Sequence, residues 1–125
     1  MLNQLCDDAH TNAVEKGFYE RKRELPELLM LVVSELSEAM EADRAKEPVF
    51  TMADLNEIAR AAADGSEAEL GEYHNCVRGT VPEEIADAFI RLFDLCGYYG
   101  IDIDAHIAAK MKYNATRPRK HRKRY

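Results

Sequence analysis

Apolar residues recur at helical spacing through most of this 125-residue chain. Leu2, Leu5, Ala9 and Ala13 mark a first helix of about four turns, with Gly17 as its C-terminal stop and Phe18 and Tyr19 in the loop beyond. A second amphipathic helix has Pro26 in its first turn, carries Leu28, Leu29, Val32, Leu36, Ala39 and Met40, and reaches roughly Arg44. Thr51 followed by Asp54 has the form of a capped N-terminus for a helix through Met52, Leu55, Ile58 and Ala62, stopped near Gly65. Residues 66–79 show no clean period and read as loop with a helical turn. Thr80-x-x-Glu83 has the form of a capping box, with Pro82 inside the first turn, for a helix carrying Ile85, Phe89, Leu92, Phe93 and Cys96 before Gly100. Asp104 is the expected N-cap of the last helix, which uses Ile107, Ala108 and Met111 and frays before Arg117-Pro118. No segment alternates with period two. The expected fold is therefore an all-α bundle of four to five helices, with residues 1–118 as one domain and 119–125 as a basic C-terminal tail.

Charge adds an asymmetry. The chain has 17 basic and 23 acidic residues, a formal net charge of −6. Eight of the basic residues lie between Lys110 and Arg124, and no acid follows Asp104. Residues 1–109 thus hold nine basic against 23 acidic residues, or −14. An acidic body disfavours nucleic acid unless cations intervene, while a short basic stretch suits phosphate oxygens or simply offsets the body. The longest apolar stretch, Leu28 to Val33, is too short for a membrane span, and Asp7 and Asp8 stand where a signal peptide has basic residues. Cys6, Cys76 and Cys96 form no Cys-x-x-Cys pair, which favours reduced thiols in a cytoplasmic protein over disulfides or a thiolate zinc site.

Two carboxylate pairs stand out. At about 100° per residue, Glu35 falls inside the apolar arc of the second helix and Glu38 at its rim. An ionised carboxylate buried without a partner costs several kcal/mol, so something must compensate it. Arg91 or Lys110 reaching in from a neighbouring helix would do so, as would a cation. The second pair is Glu84 and Asp87, with Asp94 two turns on. Ile85, Phe89, Leu92 and Cys96 occupy one side of that helix and Glu84, Asp87, Arg91 and Asp94 the other, which reads either as a solvated face or as half of an acidic cage. Two helices each offering two carboxylates one turn apart can surround a hard divalent cation. Neither pair contains His, which argues for Mg²⁺ or Mn²⁺ over a di-iron site. On the last helix, His106, Lys110, Tyr113, Asn114 and Arg117 share an arc of roughly 100°. That cationic, aromatic face suits phosphate oxygens.

The ordered set SELSEAMEADR (34–44), PEEIADAFIRLFDLCGYYGIDI (82–103) and KMKYNATRPRKH (110–121) resembles the MazG-like, all-α nucleoside triphosphate pyrophosphohydrolases. The likeness covers approximately residues 8–44 and 80–121; residues 45–79 have no counterpart in it. The resemblance implies a site built between helices, in which Glu35, Glu38, Glu84 and Asp87 hold Mg²⁺, or Mn²⁺, and a nucleoside triphosphate is cleaved to monophosphate and pyrophosphate. It further implies that Lys110, Tyr113, Asn114 and Arg117 contact phosphate or sugar, that His10 and Phe18 lie near the base, and that the protein is a homodimer or homotetramer. Some relatives have a Glu before the first motif as general base; this chain has Ser34, which passes the role to Glu38. Phosphoribosyl-ATP pyrophosphohydrolase is an alternative with the same acidic cage. A non-catalytic helical module, binding nucleic acid or an acidic partner through its basic tail, is an alternative of a different class.

Overall fold

The computed structural model describes residues 1–45 and 49–118. Among them are six helices and no strand: α1 (Leu2–Glu15), α2 (Leu25–Arg44), α3 (Met52–Ala63), α4 (Glu67–Cys76), α5 (Val81–Tyr99) and α6 (Ile103–Ala115). The all-α expectation holds, with one helix more than expected. The basic segment 119–125 lies outside the described residues. No helix among those described is long and apolar enough to cross a membrane.

The extra helix is α4, in the stretch expected to be loop. Gly71 sits in its middle and it has no buried residue, so no apolar stripe announces it. It starts where Glu69 folds back to accept from the Ser66 amide at 2.9 Å and from the Ser66 hydroxyl. That Ser-x-x-Glu signal is present in the sequence. α3 begins as expected: the Thr51 amide donates to Asp54 at 2.9 Å, and the Asp54 amide donates to the Thr51 hydroxyl oxygen at 3.2 Å. α5 begins differently. The Thr80 hydroxyl donates to the Val77 carbonyl at 2.6 Å, and Glu83 reaches past Thr80 to the amide of Gly79, whose φ of 77° makes the turn. The N-cap of α6 is Asp102, which accepts from the Ala105 amide at 3.0 Å, and not Asp104.

The chain divides into two compact units. The first comprises Met1–Lys22 and the chain from Leu92, so it contains α1, the end of α5, and α6. Cys6, Leu95 and Cys96 are its buried apolar residues, and the three cysteines of the protein are free thiols. α1 has no side-chain cap of its own. Asp104 caps it from a distance, accepting from the Met1 amino group at 3.1 Å and from the amides of Leu2 and Asn3 at 3.2 and 3.0 Å. α1 meets α5 at Gly97, where a Cβ would lie 2.6 Å from the Cys6 carbonyl oxygen and 2.8 Å from His10 Cβ.

The second unit, Arg23–Arg91, contains α2, α3, α4 and the start of α5. Leu28, Val32, Ala39, Leu55, Ala62, Val77 and Ala88 are buried in it. On α2 the buried stripe is Leu28, Val32, Glu35 and Ala39, while Leu29, Val33, Leu36 and Met40 are exposed. α2 is apolar on too much of its circumference for a unit this small to cover, so part of the expected core lies on the surface. α5 departs further: Ile85, Phe89 and Leu92 are exposed, whereas Asp94 on the polar side is only 6% exposed.

Gly97 and Gly71 make a matched test of packing against propensity. Gly97→Ala is expected to destabilise by about 1–3 kcal/mol, because the new methyl overlaps a backbone carbonyl that cannot move alone. Gly71→Ala meets no atom within 4 Å and is expected to stabilise by roughly 0.5–1 kcal/mol. Thermal or urea unfolding of the two variants reads both signs.

Candidate functional site

α2 carries Glu35 into the core because that residue occupies the third position of the stripe Leu28, Val32, Glu35, Ala39, spaced i, i+4, i+7 and i+11. It is 6% exposed. Arg91 on α5, one of the two side chains named as able to compensate it, donates from its Nε to Glu35 Oε1. Among the described residues, that one cation faces more than one acid. Glu38, one turn after Glu35, and Glu84 on α5 converge on the same point, and one oxygen from each of Glu35, Glu38 and Glu84 lies within 4.8 Å of the others. Burial grades across the three: Glu35 is buried, Glu84 half-buried and Glu38 exposed. Asp87 is not in that closest set, yet it lies within the electrostatic reach of Glu35 and Glu38.

The crowding of like charges shows in the protonation equilibria. Burial, a hydrogen bond with Glu38, and the charges of Glu38, Glu83 and Asp87 push the Glu84 carboxyl up to about 7. The Asp87 carboxyl is raised by burial and then by the charges of Glu35 and Glu83, with Arg91 acting in the opposite sense. Among the described residues, four carboxylates face one guanidinium, a surplus of negative charge for protons or a cation to absorb. The donor set is all oxygen, multidentate and drawn from two rigid helices, which fits Mg²⁺ or Mn²⁺ and does not fit a soft or imidazole-seeking metal. Glu35, Glu38 and Glu84 are thus brought together as expected, with Asp87 at the margin.

The remaining site residues lie in the other unit. On α6 and just past its end, Lys110 Nζ stands 4.8 Å from the centre of the exposed Tyr113 ring and the Cζ of the half-buried Arg117 5.7 Å from it, which makes a cation–π cluster. Asn114 is exposed on the same helix. His10 is not on an open surface: its Nδ1 donates to Asp94 Oδ1 at 2.9 Å, and Asp94 Oδ2 accepts from the Tyr19 hydroxyl at 2.8 Å. Tyr19 stacks on Tyr98 with ring centres 4.8 Å apart, and Phe18 meets Tyr19 edge-on at 5.4 Å. His10 and Phe18 therefore belong to a packed aromatic network around a buried carboxylate. Sequence reasoning placed Asp94 on the polar side of its helix without seeing that this side turns inward. The signal was indirect: Gly97, one turn further along α5, lets α1 approach closely enough for His10 to reach Asp94.

Comparison with protein-family models, with curated proteins and with solved structures finds no match.

The raised carboxyls fix how stability depends on pH. A folded-state pKa above the ordinary value means the folded protein holds its proton more tightly, so stability is greatest below the ordinary carboxylate range and falls as pH rises through about 7. The lowered carboxyls of Asp54, Glu69, Asp102 and Asp104 act at and below their ordinary values and leave the range from pH 5 to 8 flat. In cation-free buffer the urea midpoint should fall from pH 5 to pH 8, and Glu84→Gln should flatten that slope. Mg²⁺ at about 100 times its dissociation constant should restore about 2.7 kcal/mol at pH 8.

Proposed function

We propose that the protein is a divalent-cation-dependent nucleotide pyrophosphohydrolase, which cleaves a nucleoside triphosphate to its monophosphate and pyrophosphate and so cleanses or regulates a nucleotide pool. The observation that carries this reading is the meeting of Glu35, Glu38 and Glu84 from two helices with oxygens within 4.8 Å. The order of the sequence motifs supports it. Glu35, Glu38, Glu84 and Asp87 would hold Mg²⁺ or Mn²⁺. When bound, the cation supplies charge neutralisation to the polyphosphate and Lewis acidity at the phosphorus under attack.

The chain's own residues account for the proton and for orientation. Glu38 is the exposed member of the cluster and accepts the proton of the attacking water. As the water oxygen bonds to phosphorus, the P–O–P bridge breaks and pyrophosphate leaves. Arg91 holds Glu35 in one orientation, so the acidic wall does not collapse away from its neighbours. The Lys110, Tyr113 and Arg117 face is chemically suited to phosphate oxygens. A homodimer or homotetramer belongs to the same reading, and the exposed apolar sides of α2 (Leu29, Val33, Leu36, Met40) and of α5 (Ile85, Phe89) are surfaces a second copy can cover.

A pyrophosphate-release assay over canonical and modified nucleoside triphosphates tests the proposal. Release is expected with Mg²⁺, none in EDTA, and a drop of about 10²–10⁴-fold in Glu38→Gln, the range for loss of a positioned base. Release that persists in EDTA, or at full rate in Glu38→Gln, overturns it.

A further inference from the structure

The unit Arg23–Arg91 also contains a cavity of about 760 Å³, a size ordinary for a small-molecule site. Its walls are the ends of four helices: the last turns of α2 and α4 and the first turns of α3 and α5. Two of its walls continue directly from the acidic cluster. Ala42 stands four residues after Glu38 on α2, and Thr80 four residues before Glu84 at the start of α5. Each step is about 6 Å along one helix face. The cavity therefore begins one helical turn from the carboxylates, on the side where the two helices end.

Its chemistry differs from that of the cluster. Two helix C-termini and two N-termini contribute to the lining, so carbonyl-rich and amide-rich ends are both present. Asp43 is the one charged residue among the described lining residues. Phe50 and Leu55 offer apolar and aromatic surface, and the exposed Asn75 offers an amide that both donates and accepts. Such a lining suits a flat, neutral heterocycle with a hydrogen-bonding edge, and the Asp43 carboxylate favours an edge that carries an amino group.

Resting on the hydrolase reading above, we infer that this cavity receives the base of the nucleotide substrate, that it selects bases bearing an exocyclic amine, and that it does so in place of the region around His10 and Phe18. The segment that builds most of it, residues 49–82, is largely the stretch for which the sequence resemblance has no counterpart, so base recognition here is this chain's own.

The test uses the full ¹⁵N-labelled protein in EDTA with adenosine and uridine, neither of which carries phosphate. Adenosine should shift the Asn75 side-chain amide and the Gly79 and Thr80 backbone signals saturably. Asn75→Ala and Asp43→Ala, both at exposed positions, should each weaken adenosine by roughly three- to tenfold, the loss of one hydrogen bond. Glu38→Gln should leave the adenosine shifts in place. Shifts confined to His10 and Phe18, no saturable shift, shifts that follow protein concentration and not nucleoside, or equal affinity for adenosine and uridine each overturn the proposal. Saturable shifts at the cavity in a protein that hydrolyses no triphosphate support the cavity and sink the hydrolase reading. Hydrolysis with shifts elsewhere does the reverse.

Discussion

A carboxylate at a core position organises the second unit. Glu35 takes a place in the α2 stripe that Leu28, Val32 and Ala39 otherwise fill, and an ion there is costly unless its surroundings are built for it. Arg91 answers the charge of Glu35, which requires α5 to turn its polar side toward α2. That orientation brings Glu84 and Asp87 into the same space, so a side chain that could have been neutralised by one cation ends in a cluster of acids. It also leaves Ile85 and Phe89 facing outward. The acidic cluster and the exposed apolar face of α5 are two results of one rotational setting of one helix.

The other unit buries a carboxylate too, and resolves it differently. Asp94 is as deeply placed as Glu35, but its partners are the Nδ1–H of His10 and the hydroxyl of Tyr19, within a set of packed rings that includes Tyr98. Each oxygen has one donor, and the lone pairs are satisfied without a crowd of like charges. Asp94 is a structural acid in this sense, and the contrast sharpens the chemical identity of the first cluster.

Much of the fold was legible because helix ends carry local signals. Gly17, the Thr51 and Asp54 pair, and Gly100 mark boundaries within a few residues of where they fall. α4 escaped because residues 66–79 carry no apolar period, although Ser66 and Glu69 hold a local cap signal. Glu35 was legible as a polar residue at an apolar position, and Arg91 was one of two cations able to reach it. The facing of α5 was not legible, since a helical wheel shows which residues can share a surface but not which surface finds a neighbour. The choice between Asp102 and Asp104 as N-cap was equally hidden. Both suit the role, and the decision rests on Asn3, whose side-chain amide donates to Asp102 at 2.9 Å while its backbone amide donates to Asp104.

The same arrangement has a consequence for how the chain assembles. α1 draws the cap of its first turn from Asp104, about a hundred residues downstream. During synthesis that carboxylate does not yet exist when α1 leaves the ribosome, and an uncapped helix of this length is marginal in water. α1 must wait as a frayed segment until α6 has been made, and then the two N-termini order together. α1, made before α6, is thus among the last segments to become native.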